Sequence, residues 1–170
     1  MRTAPAIVGD STGEVARLHR GQRLFILIGS LGPFGFLPAS GTCAVAGVGI
    51  PLFYWTQFWP GPYRVLAACA LTAASVAVHH IGDRILGQKD SRLLVWDEVA
   101  GYMVAVALLP FNWPVAIAAF LIERVLDIFK VWPARWIERT WPGGWGVVGD
   151  DVVAGLYTYA AVRLLLWAGA

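Results

Sequence analysis

Long apolar blocks, broken by short polar or Gly/Pro-rich stretches, set the pattern of this chain. Residues 24–31 (LFILIGSL) are apolar but too short to cross a bilayer. They run into Gly32, Pro33, Gly35, Pro38 and Gly41, so a half-buried helix followed by an irregular loop is expected. Residues 42–59 and 63–80, separated by Pro60-Gly61-Pro62, have the length and polarity of two helices joined by a tight hairpin. Polar residues 81–94 follow. Residues 95–109 and 114–129 make a second hairpin about Pro110 to Pro114, and 151–168 is a final apolar helix after the polar, Gly-rich stretch 130–150. The pattern predicts an all-α, polytopic membrane bundle of about five long helices. Some are short against the ~20 residues of a full crossing, so tilt, thinning or partial insertion is expected.

Composition agrees with a membrane-embedded class: 58% of residues are hydrophobic, only 14% are charged, and there are nine Trp. Residues 1–23 form a polar leader with Arg2, Arg17, Arg20 and Arg23 and no apolar core. A cleaved secretory signal is therefore not expected, and 24–170 reads as one membrane-embedded domain. A net charge of +2, with the cations scattered, argues against nucleic acid as a partner. Cys43 and Cys69 lie inside apolar stretches without ligand spacing and read as small hydrophobes. The leader, the 81–94 loop and Lys130 to Arg139 hold nearly all the cations, whereas the hairpin turns hold almost none. The positive-inside rule then places the N-terminus in the cytoplasm and brings the charged motifs to that leaflet.

The carboxylates carry the candidate chemistry. Asp97, Glu98, Asp127, Asp150 and Asp151 all stand at the edges of apolar blocks, where charge is costly unless something cationic or polar compensates it. Asp97 and Glu98 open one predicted helix behind Trp96, an expected interfacial anchor. Asp150 and Asp151 precede another, with Asp150 or Gly149 as its cap. Favourable charge at a helix N-terminus explains one acid of each pair better than two. Acids from separate segments at one leaflet supply hard oxygen ligands suited to Mg²⁺, which prefers carboxylate, water and phosphate oxygens. Such an ion would polarise a phosphoryl group and lower the pKa of water, as phosphoester hydrolysis requires.

Arg124, Asp127 and Lys130 recur every three residues along one side of a helix end. The two cations can hold a phosphate beside a metal, or can form end-of-helix ion pairs with Glu123, Asp127 and the headgroups. The loop from Pro38 through Ser40 and Gly41 to Thr42 can offer backbone N–H groups to an anion, or simply cap the helix that follows. Asp90 can cap, ligate or be solvated. His79 and His80 are expected at the end of the second helix in an interfacial role rather than in proton transfer. Gly143, Gly144 and Gly146 allow a tight turn that presents Asp150 and Asp151.

Taken in order, these residues resemble the phosphatidylglycerophosphatase A family of bacterial membrane lipid phosphatases. The resemblance runs from about Gly29 to Gly155. It rests on the Gly/Pro loop ending in Gly41-Thr42, Asp90, Val95-Trp96-Asp97-Glu98 with Gly101, and Arg124, Asp127, Lys130, Trp132 and Pro133. Gly143, Gly144, Gly146, Asp150, Asp151, Ala154 and Gly155 complete it. Ser40 and Ala44-Val45 depart from the family loop. The resemblance implies Mg²⁺-dependent removal of phosphate from phosphatidylglycerophosphate at the cytoplasmic face of the inner membrane. Asp97, Glu98, Asp127, Asp150 and Asp151 are then the expected catalytic and metal-holding residues, with Arg124, Lys130 and Thr42 on the phosphate. Water activated at the metal is the expected nucleophile, because no Ser or Cys stands beside a partnered base; an aspartyl-phosphate is the alternative. An ion- or proton-coupled transporter is the rival reading, and it would want acids near mid-helix and repeated halves.

Overall fold

The computed structural model describes residues 11–169; residues 1–10 of the leader and Ala170 lie outside the described residues. Among the described residues, regular secondary structure is entirely helical: α1 Ser11–Ala16, α2 Arg20–Gly29, α3 Ser40–Ala44, α4 Ile50–Thr56, α5 Gly61–Leu86, α6 Trp96–Val106, α7 Trp113–Phe129, α8 Ala134–Thr140 and α9 Gly144–Ala168. A wider turn over Val45–Gly49 joins α3 to α4. At about 1.5 Å per residue, the 26 residues of α5 and the 25 of α9 reach about 39 and 37 Å, and these two are long and apolar enough to cross a membrane. The leader is not uniformly polar in structure: Val15 of α1 is buried with Ile26, Leu93 and Leu94.

Helix boundaries follow local chemistry. Pro62 occupies the first turn of α5, where its missing N–H removes no helical bond, and Gly87 ends the helix with φ +69°. Asn112 caps α7 by accepting from Val115 N at 2.8 Å, with Pro114 in the first turn. The short α6 sits innermost: Ala100, Tyr102, Ala105 and Val106 are fully buried, and the helix packs against α5, α7, α9 and the α3–α4 unit.

Three boundaries differ from the sequence-based expectation. The second long helix continues to Leu86 rather than ending near residue 80, since the lone Gly82 is accommodated within it and the left-handed stop comes only at Gly87. The stretch 130–150 contains α8. The final helix begins at Gly144, so Asp150 and Asp151 lie nearly two turns inside it and neither caps it. Of the glycines read as a turn there, Gly143 (φ +55°) does turn the chain before the helix, whereas Gly144 and Gly146, and Gly149 read as a cap, permit close packing within it. A Cβ at Gly146 would stand 2.6 Å from Trp141 O, and one at Gly149 would stand 2.6 Å from Ile137 Cγ2 of α8.

Candidate active site

Glycine sets where the acids meet. Gly101 and Gly155 mark the crossing of α6 and α9: a Cβ at Gly101 would lie 2.8 Å from Asp151 O, and one at Gly155 would overlap the Gly101 carbonyl. Asp97 lies one turn before Gly101, and Asp151 one turn before Gly155, on the same helical faces. The close crossing thereby brings the α9 acids beside the first turn of α6. Gly41 serves the same end from α3, since a side chain there would overlap the Glu98 carboxylate.

The result is a cavity of about 170 Å³ lined by Asp90, Asp97, Glu98, Asp127, Lys130, Asp150 and Asp151, with Ile128 and Val147. All five acids singled out from the sequence, together with Asp90 and Lys130, meet there. Arg124 stands behind the wall, where Glu98, Glu123 (2.7 Å) and Asp127 (3.4 Å) all bind its guanidinium. Glu123 takes it with both oxygens, Nε to Oε2 and Nη2 to Oε1, each at 2.7 Å. Both residues are buried, and Arg124 makes the ion pairs with Glu123 and Asp127 that its place at the helix end allows.

Lys130 departs from the helical side it shares with Arg124 in the sequence. It ends α7 with φ +46°, and this left-handed turn carries its ammonium to Glu138 Oε1 at 2.6 Å and Asp150 Oδ2 at 2.8 Å. Burial alone would lower the Lys130 pKa, but the hydrogen bonds to Asp150 and Glu138 outweigh it and raise the pKa above its ordinary value. Thr42 is exposed and does not line the cavity; Ser40 is buried and donates to Arg92 O at 2.8 Å, fixing the Gly/Pro loop. Trp96 is half-buried, its Nε1 donating to Ile28 O at 2.9 Å, a tether and not a free interfacial anchor.

The loop 87–95 is held from two sides. Leu93 and Leu94 are buried, and Gly29 and Gly82 make room for Leu94, since a Cβ at either would lie 2.7 Å from its methyl groups. Asp83 accepts from Asp90 N at 3.1 Å and Ser91 N at 3.3 Å. Partial burial and then the charge of Asp97 raise the pKa of Asp90 above 3.8. His79, expected at a helix end, is instead interior to α5 and fully buried, with Nε2 3.1 Å from Asp97 Oδ1.

The donor chemistry suits a hard dication. Acids outnumber Arg124 and Lys130 around the cavity, and among the described residues Asp97 Oδ1 and Asp151 Oδ1 are buried without an aligned hydrogen-bond partner. Such a surplus calls for protons or a cation. Among the described residues no three of these side chains stand in ready metal-holding geometry. Several are turned toward Arg124, Lys130 or His79, and closing on one ion requires them to rotate inward. A roomier furrow of about 490 Å³ on the flank, lined by Ala68, Thr72, Leu108, Leu156 and Tyr159 among others, is apolar and carries none of the acids.

Glu138 and Asp83 are site residues that the sequence pattern does not single out, and His79, read there as interfacial, is buried instead. Their partners lie on other elements or across a turn the sequence does not specify. Only the i, i+4 spacing of His79 and Asp83 offers a signal.

Comparison with known proteins gives this geometry a family. The chain is 36% identical over 108 residues to phosphatidylglycerophosphatase A of Escherichia coli, covering 63% of each chain. It is 33% identical over 95 residues to the Haemophilus influenzae protein of the same name, covering 55% of this chain and 52% of that one. The chain thus spans between half and two thirds of the length of these two relatives. A Bacteroides thetaiotaomicron protein, named as a proposed phosphatidylinositol-3-phosphatase, is 30% identical over 159 residues, covering 88% of this chain and 98% of its own. No solved structure matches the chain. The family model for phosphatidylglycerophosphatase A matches residues 27–166, and the chain belongs to that family.

Proposed function

We propose that the protein is a Mg²⁺-dependent lipid phosphatase that converts phosphatidylglycerophosphate to phosphatidylglycerol and inorganic phosphate, as a multi-pass protein of a bacterial inner membrane with its site facing the cytoplasm. The observation that carries this reading is the meeting of Asp97, Glu98, Asp127, Asp150 and Asp151 in one small cavity in a member of this family. The basic leader, the 81–94 loop and the 130–139 segment support the orientation, and α5 and α9 support the membrane setting. The acids gather at one end of these helices, which favours chemistry on a headgroup over passage of ions through the span.

Asp97, Glu98, Asp127 and one or both of Asp150 and Asp151 would hold the ion. Bound there, Mg²⁺ would draw charge from the non-bridging phosphoryl oxygens and acidify an attacking water. Lys130 is the cation placed to meet a phosphate oxygen, on exchange of its contact with Glu138 or Asp150. Arg124 orients Glu98 and Asp127, and reaches phosphate only where Glu98 releases it. In the reaction a water oxygen bonds to phosphorus as the ester P–O bond breaks. The water proton passes to a cavity carboxylate, and the departing glycerol alkoxide takes a proton from solvent.

A second substrate reading has its own support, because the relative named for phosphatidylinositol 3-phosphate aligns over 98% of its length. The test measures phosphate released by the purified protein in detergent from phosphatidylglycerophosphate, phosphatidic acid and phosphatidylinositol 3-phosphate, each with Mg²⁺ or EDTA. Preference for the first lipid, abolished by EDTA, is expected. Equal release in EDTA would end the metal reading, and preference for the inositol lipid would replace the substrate.

A further inference from the structure

We propose that His79 is a positioning residue that holds the Asp97 carboxylate toward the acid cavity and ties it, through Asp83, to the loop carrying Asp90. The imidazole is fully buried within α5, which contributes no residue to the cavity lining, and stands behind Asp97. Its Nε2 lies 3.1 Å from Asp97 Oδ1 in the first turn of α6, and its Nδ1 lies 3.9 Å from Asp83 Oδ1 one turn further along α5. Asp83 in turn accepts from the backbone N–H groups of Asp90 and Ser91. One ring therefore stands between two of the segments that build the site.

Packing alone does not account for a histidine here. Both ring nitrogens are buried without an aligned hydrogen bond among the described residues, a cost that an apolar side chain of similar volume would avoid. The ring is held closely: Gly144 of α9 passes so near that a Cβ there would stand 3.2 Å from His79 Cβ. Asp97 Oδ1 has no aligned hydrogen-bond partner, which leaves His79 as the polar group placed to fix its rotamer. Partners that orient a ligating carboxylate change metal affinity or activity by about 10–100-fold when removed.

The inference rests on the Mg²⁺ phosphatase reading, and its test separates the two. His79→Phe fills the space without a donor. His79→Gln keeps a donor that reaches Asp97, and His79→Asn carries one too short to do so. Phosphate release as a function of Mg²⁺ gives the half-saturating concentration, with kcat and KM for the lipid resolved separately. The Mg²⁺-induced rise in unfolding temperature reports binding without turnover. For His79→Phe, a Mg²⁺ requirement raised by about tenfold or more, a smaller Mg²⁺-induced shift, lower kcat and nearly unchanged KM are expected. His79→Gln should recover most of the loss and His79→Asn little of it. Should His79→Phe fail to fold, the Gln and Asn variants decide. Equal Mg²⁺ requirements for wild type and the folded variants would overturn the role of His79 while leaving the phosphatase reading intact. A wild-type protein indifferent to Mg²⁺ would overturn both.

Discussion

The two ends of the helical bundle solve the burial of polar groups in opposite ways. At the end where α5 begins and α6 stops, Arg64 donates to the carbonyls of Val106 and Leu109, placing a cation on backbone acceptors at a helix C-terminus. Phe53, Tyr54, Phe111 and Trp113 surround that end in edge-on pairs with centroids 5.0 to 5.6 Å apart. The Arg64 Nη2 thus meets two backbone carbonyls, although its buried Nε has no aligned partner among the described residues. At the other end, α6 starts, α7 stops, α9 passes its second turn, and carboxylate is stacked on carboxylate with two cations among them. Such an arrangement is poor for stability alone, and local conflict of this kind concentrates where chemistry is done.

Mutations at the two ends should therefore separate activity from stability. The largest effect is expected from Asp97→Asn. Phosphate release should fall on the order of 100-fold or more, while the unfolding temperature holds or rises because one acid has left an anionic cluster. Phosphate assays and thermal unfolding check both halves, and an inactive, destabilised variant would contradict the separation. Gly155→Ala comes next. Its methyl would overlap the Gly101 carbonyl and force α6 and α9 apart, costing about 1–3 kcal/mol and lowering activity with it, because Asp151 sits one turn away on the same face. Urea unfolding measures the first loss and specific activity the second.

Arg64→Met tests the far end. The exposed acceptors at the end of α6 should cost about 1–2 kcal/mol with phosphate release per folded molecule unchanged. Loss of activity without loss of stability would break the comparison. The smallest effect is expected from Asp90→Asn, whose left-handed backbone (φ +58°) Asn adopts readily. Asp90 has a raised pKa in the folded protein, so the folded state binds protons more readily than the unfolded chain. The corresponding stability is fully present below 3.8 and is lost as pH rises through the raised value. The variant should be slightly more stable than wild type at neutral pH, and the gain should shrink on acidification. A gain independent of pH would show that the Asp90 charge is not its source.

Much of this architecture is legible in the residues themselves. The apolar blocks mark α4 to α7, the Pro-centred breaks mark both hairpins, and acids at block edges mark the cavity, because each signal is local. Signals that depend on a partner are ambiguous. Gly143, Gly144 and Gly146 read as a turn, yet only Gly143 (φ +55°) precedes the helix; the other two lie within α9 where α5 and α8 press close, and glycine spacing does not distinguish the two uses. Lys130 shares a helical side with Arg124 in the sequence, but a left-handed residue at the end of α7 sends it elsewhere. Glu138 looks like an ordinary surface acid until Lys130 is seen to reach it, whereas Glu123 pairs with the adjacent Arg124 as the sequence allows. His79 reads as a helix end because polar residues follow it, whereas α5 runs on to Gly87 and buries it.

The central claim is that carboxylates from α6, α7 and α9 share one divalent cation. Crystals of the protein grown with Mn²⁺ in place of Mg²⁺ test it most directly through anomalous scattering. A strong peak within coordination distance of Asp97, Asp127 and Asp151 is expected, and Asp151→Asn should weaken it. Peaks confined to the protein surface, with the cavity acids still paired only with Arg124, Lys130 and His79, would contradict the account.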